Sequence, residues 1–151
     1  MMIQGKGFWT RITGKPHDGY KSTADADKLW SFDLSIDDAV VKQFKDNNIG
    51  NKVKNKGDER GNFVTWKRRA FKRDGDPAKP IRVVDRNGQP WDPTKKIGNG
   101  SILNVQFLIN DAETETPRPS VIAVQVWELV EYEGGGEFEE FPTDENGAEA
   151  W

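Results

Sequence analysis

Along residues 28–36, KLWSFDLSI, apolar and polar positions alternate: Trp30, Phe32, Leu34 and Ile36 share one face, and Ser31, Asp33 and Ser35 share the other. A strand points successive side chains to opposite sides, so this period of two predicts a strand with one buried face. FWTRIT (8–13) sets Phe8, Thr10 and Ile12 against Trp9, Arg11 and Thr13, and SILNVQFLI (101–109) aligns Leu103, Val105, Phe107 and Ile109. The β-rich runs FVTWKRRAFKR (63–73) and SVIAVQVWELVEY (120–132) predict two further strands, and residues 79–91 predict a short strand with an Asn87-Gly88 hairpin turn. Trp30, Phe32 and Phe107 are expected in the core.

One stretch has a different period. In residues 35–50, Ile36, Val40 and Phe44 recur every fourth position, Ser35 stands as an N-cap with Asp38 three residues on, and Asn47, Asn48 and Gly50 stop the run. This predicts one short helix. Residues 14–27 and 51–62 read as polar, charged loops. Five principal strands, one short helix and polar connections predict an all-β fold, a five-stranded barrel of the OB type; a sandwich ordinarily uses about seven strands.

Composition adds limits. The 151 residues suffice for one domain, and 34% apolar against 31% charged content implies a modest core under a highly charged surface. The absence of cysteine excludes disulfides and thiolate metal sites and suits a reducing compartment. The start MMIQGKGFW lacks a basic head followed by an apolar run, so no signal peptide is expected, and no apolar run is long enough to predict a membrane span.

The net charge of −3 hides an uneven distribution. Residues 131–151 hold eight acids and no base, while the rest of the chain sets 22 Lys and Arg against the remaining 17 acids, a net +5. Two units follow: a basic body, 1–133, and an acidic tail, 134–151, that begins with Gly134–Gly136 and cannot bury enough apolar surface to fold alone.

The basic charge concentrates in WKRRAFKR, residues 66–73. Lys67, Arg69, Phe71 and Arg73 would share one face of a strand, and Trp66, Arg68, Ala70 and Lys72 the other, so neither face is purely apolar. Interleaved rings and cations suit single-stranded nucleic acid, whose bases stack on flat side chains and whose phosphates need counter-charge. The expected phosphate ligands are Lys67, Arg68, Arg69, Lys72 and Arg73, and the expected stacking rings are Trp66, Phe71 and Trp9. Arg11 on the first strand, Lys15, Tyr20 and Lys21 in the first loop, and Arg82 and Trp91 around the hairpin are further candidates; Trp127 is a possible platform on the last strand. The bland counterpart is a solvated basic face that discourages edge pairing.

Catalytic patterns are missing. His17 reads as an exposed turn residue, Asp25 and Asp27 as a polar loop tip, and GNGS (98–101) as a turn with no helix behind it to cradle phosphate. No enzyme activity, catalytic residue, cofactor or metal is expected. The tail carries Phe138, Phe141 and Trp151 among Glu137, Glu139, Glu140, Asp144, Glu145 and Glu149. Acidic plus aromatic is the composition of a linear ligand for a basic groove, and a tethered anion of this kind competes with nucleic acid there.

Three stretches together resemble the phage single-stranded DNA-binding proteins of the OB-fold type found in podophages and their relatives: ITGKPHDGYKSTADADKLWSFDLSID (12–37), PIRVVDRNGQPWDPTKKIGNGSILNVQF (80–107), and IAVQVWELVEYEGG (122–135) followed by the acidic tail. The resemblance spans nearly the whole chain and rests on the order and spacing of these stretches. It implies binding of DNA exposed in replication, recombination and repair, in the cytoplasm of a bacterial host. It also implies a tail that contacts replication proteins such as the polymerase and helicase, and a possible homodimer. The family's terminal aromatic maps to Trp151; the family often ends in phenylalanine, so tryptophan is a departure. Two other readings stay open: an RNA-binding OB module, and a protein-interaction or virion structural module that docks through its basic strand.

Overall fold

The computed structural model describes residues 1–110 and 117–131. Within them the chain forms seven strands, β1 (Met2–Arg11), β2 (Leu29–Ser35), β3 (Lys54–Asn55), β4 (Asn62–Arg69), β5 (Arg82–Val84), β6 (Ser101–Asn110) and β7 (Arg118–Glu128), one α-helix, α1 (Asp38–Asp46), and two single-turn 3-10 helices at Asp25–Asp27 and Gly50–Lys52. They lie in one sheet in the order β3-β4-β2-β1-β6-β7-β5. The long strands β1, β2 and β4 make an antiparallel meander, and β6 then joins the far edge of β1 and carries β7. This is the all-β OB-type fold predicted, with the short edge strands β3 and β5 added to its five long strands.

The ends of the sheet meet at a seam between β4 and β7. Side chains hold it: the Arg68 guanidinium donates to the carbonyl of Val121 on β7 and, at 2.9 Å, to that of Lys79. The barrel is therefore closed by an arginine strap where the ladder does not continue.

Alternation explains the interior. Trp30, Phe32 and Leu34 of β2, Val64 and Trp66 of β4, and Leu103, Val105 and Phe107 of β6 all point inward and are buried. Trp66 is the centre of this core, 2% exposed. Its ring stacks on Phe32 at 6.3 Å, lies 5.3 Å from Phe107, and receives the edge of Phe44 at 6.4 Å. Phe44 comes from α1 and also touches Phe107 at 5.8 Å, so the helix supplies a plug to the barrel.

Several element boundaries differ from the sequence expectation. β1 starts at Met2 rather than residue 8, because Gly5 and Gly7 break the apolar pattern while being needed for close approach. A Cβ at Gly5 would sit 1.8 Å from the Ser35 carbonyl oxygen, and one at Gly7 would sit 2.5 Å from the Leu103 side chain. The N-cap of α1 is Asp37, whose carboxylate accepts the Val40 amide at 2.9 Å; Ser35 still belongs to β2 and donates its hydroxyl to the Arg60 carbonyl. β4 ends at Arg69, and the chain enters a tight hairpin in which Phe71 pairs with Pro77. Asn87-Gly88 does turn the chain: Gly88 has φ +80°, and Asp85 and Gln89 pair across it at 2.8 Å. The last strand stops at Glu128 rather than residue 132.

Replacing Phe44 by alanine removes the plug from a site with no solvent access. The expected loss is about 3–5 kcal/mol of unfolding free energy, read from urea denaturation; a loss under about 1 kcal/mol would show that α1 is dispensable to the core.

Candidate nucleic-acid interface

Burial of Trp66 decides which side of β4 meets solvent. With Trp66 inward, Thr65, Lys67 and Arg69 point outward, beside the outward residues of β2. The pairing register then places Arg11 of β1 opposite Ser31 of β2, and Ser31 opposite Lys67 of β4. Neighbouring strands are about 4.8 Å apart, so this row carries cations at both ends of about 10 Å of outer sheet. In OB-type barrels this face of the second and third long strands, together with the first loop, is the surface that receives oligonucleotides.

A cleft opens at each end of the row. The first, about 570 Å³, is lined by Trp9, Thr10, Arg11, Thr13, Lys15, His17, Lys96, Ile97 and Asn99. The second, about 630 Å³, runs along the β4–β7 seam and is lined by Lys52, Lys54, Lys67, Arg68, Arg69 and Arg118 with polar neighbours. Neither has an Asp or Glu among its described lining residues. Their chemistry differs. The first pairs cations with an exposed indole; the second has cations and no ring.

Trp9 is displayed by a deliberate irregularity. Between Phe8 and Arg11 the β1–β2 register shifts, and Trp9 takes φ +48°, a conformation that is costly for a bulky residue. The Asn99 side chain holds the bulge by accepting the Trp9 amide at 2.8 Å. The result is an indole 53% exposed at the mouth of a basic cleft. Strain of this type is kept where function needs a side chain aimed off the pleat.

His17 is more than a turn residue. Its backbone pairs with Leu29 in both directions at 2.9 Å, Nδ1–H donates to the Asp18 carbonyl at 2.8 Å, and Nε2 accepts from the Ser31 hydroxyl at 2.7 Å. It ties the first loop to the middle of the outer row.

The structure thus gathers Trp9, Arg11 and Lys15 in one cleft and Lys67 and Arg69 in the other. Burial overturns one expectation, and the other candidates lie apart from the two clefts or are engaged within the fold. Trp66 cannot stack a base, because it is the centre of the core. Phe71 is half-buried against the same core. Arg68 borders the seam cleft, but its guanidinium is spent on closing the barrel. Lys72 and Arg73 lie in the hairpin after β4, outside both clefts. Arg82 sits on the β5 edge, and Trp91 packs on the core with its Nε1–H donating to the Lys95 carbonyl. Tyr20, 87% exposed, and Lys21 are on the first loop with the Lys21 ammonium over the Tyr20 ring, and neither lines a cleft. Trp127 is half-buried under Arg86, which lies 4.1 Å from its ring centre. The tail residues fall outside the described residues.

Sequence reasoning missed Lys96 and Asn99, which lie in a turn of ordinary appearance, and Lys52, Lys54 and Arg118, which come from three separated segments. It also missed Arg60. Its guanidinium lies over the Phe63 ring at 3.8 Å and the Trp9 ring at 4.7 Å, and it pairs with Asp33 at 2.7 Å and with Asp58. Hydrogen bonds from the Arg60 guanidinium, and after it from the Arg60 backbone amide, hold the Asp58 carboxyl down to about 2. The same carboxylates push the Arg60 pKa up.

No protein-family model matches the chain, and no curated protein matches it in sequence. Solved structures do match in shape. The chain has the fold of the single-stranded DNA-binding protein from bacteriophage Enc34. That likeness has a TM-score of 0.55 at 10% identity, over 91% of this chain and 87% of that one. The same protein in complex with single-stranded DNA matches with a TM-score of 0.55 at 10% identity, over 88% of this chain and 89% of that one. The single-stranded DNA-binding protein gp2.5 of bacteriophage T7 aligns with a TM-score of 0.49 at 17% identity, over 90% of this chain and 91% of that one. The likeness to the Enc34 protein is one of fold, at 10% sequence identity.

Because the folded pKa of Asp58 is depressed, the stabilisation from its pair with Arg60 is complete above the unfolded value of about 3.9. It is lost as pH falls through about 2. Carboxyl chemical shifts followed by NMR should place the Asp58 midpoint near the lower value, and Arg60→Ala, which keeps the backbone amide bond, should raise it part of the way to the ordinary range. A midpoint already near the ordinary value in the wild type would contradict the ion pair.

Proposed function

We propose that the chain binds single-stranded DNA, with little sequence preference and no catalytic role, across the outer face of β1, β2 and β4. The observation that carries this reading is the row Arg11–Ser31–Lys67, which links two basic clefts, one of them presenting an exposed indole. Cations neutralise the phosphates of the strand, and Trp9 offers a sequence-tolerant stacking surface. The solved protein with this fold that holds single-stranded DNA supports the same reading.

The finer roles follow from the acidic tail. Residues 134–151 resemble the polynucleotide in charge and carry rings that mimic its bases. Tethered to a basic face, they compete with DNA at high effective concentration. When a strand displaces them, Phe138, Phe141 and Trp151 become available to replication proteins such as a polymerase or helicase, or to a second copy of the chain. The setting is phage replication, recombination and repair in the cytoplasm of the bacterial host.

Two measurements test these proposals. Tryptophan emission should fall on adding oligo-dT at low salt, with affinity declining as salt rises. Arg11→Ala and Lys67→Ala should each flatten the log–log salt dependence by about 0.7, and Trp9→Ala should cost about 1–3 kcal/mol of binding with the salt slope unchanged. No response to oligo-dT, or equal losses from Arg82→Ala, would move the site elsewhere, and a preference for the matched ribo-oligonucleotide would favour RNA. Separately, deleting residues 134–151 should tighten DNA binding; equal or weaker binding would reject competition by the tail.

A further inference from the structure

The outer face of the sheet carries a small aromatic layer of its own. Phe63 points away from the barrel core yet is only 1% exposed, and Phe8 is likewise buried outside the core cluster. Phe8 pairs with Asp33 across the strands, and Phe63 lies one outward step from Thr65, so both belong to the face that carries Arg11 and Lys67. Arg60 lies over Phe63: its guanidinium touches both the Phe63 and Trp9 rings, and its side chain is itself 9% exposed.

We propose that the position beside Trp9 and Phe63 is a nucleobase subsite, filled in the free protein by the Arg60 guanidinium and opened when that side chain swings away. The inference rests on the DNA-binding reading above and names a subsite within it. A guanidinium is flat, delocalised and stacks on rings as a base does, so it is a fitting placeholder. The surroundings favour the exchange. Trp9 already shows half its surface to a cleft rich in cations, and a strand drawn there by Arg11 and Lys15 brings its bases to the Trp9 ring. The DNA phosphates offer Arg60 an anionic partner in place of Asp33 and Asp58.

The local backbone suits a moving side chain on a fixed post. The Arg60 carbonyl is held by the Ser35 hydroxyl at 2.6 Å, so the main chain stays anchored to β2. Gly57 and Gly61 flank the turn with φ +74° and +61°. The Nε–H of Arg60 donates to both Asp58 carboxylate oxygens at 2.9 and 3.1 Å, and Asp58 lies on the same turn. Among the described hydrogen bonds and ion pairs, the contact to Asp33 is the one that ties the guanidinium to the sheet, beside its ring contacts to Phe63 and Trp9, and Asp33 also accepts from the Thr65 hydroxyl at 2.7 Å.

Photo-crosslinking of the full-length protein to oligo-dT carrying 5-iododeoxyuridine, with adducts mapped by peptide mass, tests this. Adducts at both Trp9 and Phe63 are expected, since a ring as enclosed as Phe63 can react only if Arg60 has moved. Arg60→Ala should raise the Phe63 adduct several-fold per bound oligonucleotide. An oligonucleotide that is bound and crosslinked at Trp9 or elsewhere while Phe63 stays unlabelled in the wild type overturns the subsite, whatever Arg60→Ala does. That wild-type arm stands even if the variant folds poorly. Failure of the wild type to retain any oligonucleotide at low salt would instead reject the DNA-binding reading itself.

Discussion

Trp66 holds the rest of the molecule in register. It is enclosed by Phe32 from the neighbouring strand, Phe107 from across the barrel and Phe44 from the helix. Because side chains alternate along β4, an inward Trp66 forces Lys67 and Arg69 outward. A slip of one residue would bury both cations and expose the indole at the centre of the core. The surface row of Arg11, Ser31 and Lys67 is therefore a consequence of core packing. The outer basic face is aligned by residues buried in the core.

The two sides of the sheet obey different rules. Inside, apolar residues from β2, β4 and β6 close around the aromatic cluster. Outside, Arg60 binds a second, smaller set of rings to the turn before β4, and a bulge in β1 turns Trp9 out of the pleat. The ion pairs on exposed positions, such as Lys42 with Asp46, contribute little to stability. The Arg60–Asp33 pair is different, because both side chains are largely shielded from solvent. It also holds the guanidinium against the Phe63 ring, so the pair contributes to packing as well as to charge neutralisation.

Much of the fold was legible in the chain. Period-two runs at 28–36 and 101–109 named β2 and β6 and their buried faces, and Asn87-Gly88 marked its turn. The helix was legible through Ile36, Val40 and Phe44, although its cap lay two residues further on, at Asp37. The site was only half legible. Trp9, Arg11 and Lys15 stood near one another in sequence and do line one cleft. Within the run 66–73 Lys67 and Arg69 do line a cleft while Trp66 is buried, because a basic–aromatic stretch looks the same whether its tryptophan faces outward or into the core. Lys52, Lys54 and Arg118 gave no signal, since their common cleft exists only where β4 meets β7. Arg60 looked like one charge among many in a polar loop.

What the sequence by itself determined was the alphabet of strands, the helix, the turns and the division into a basic body and an acidic tail, because periodicity, turn chemistry and charge are local properties. Which face of β4 is buried, which cations share a cleft, and what covers Phe63 were decided only in three dimensions. Each depends on contacts between segments tens of residues apart, and the strand period is satisfied equally well by either face until a core exists to choose one.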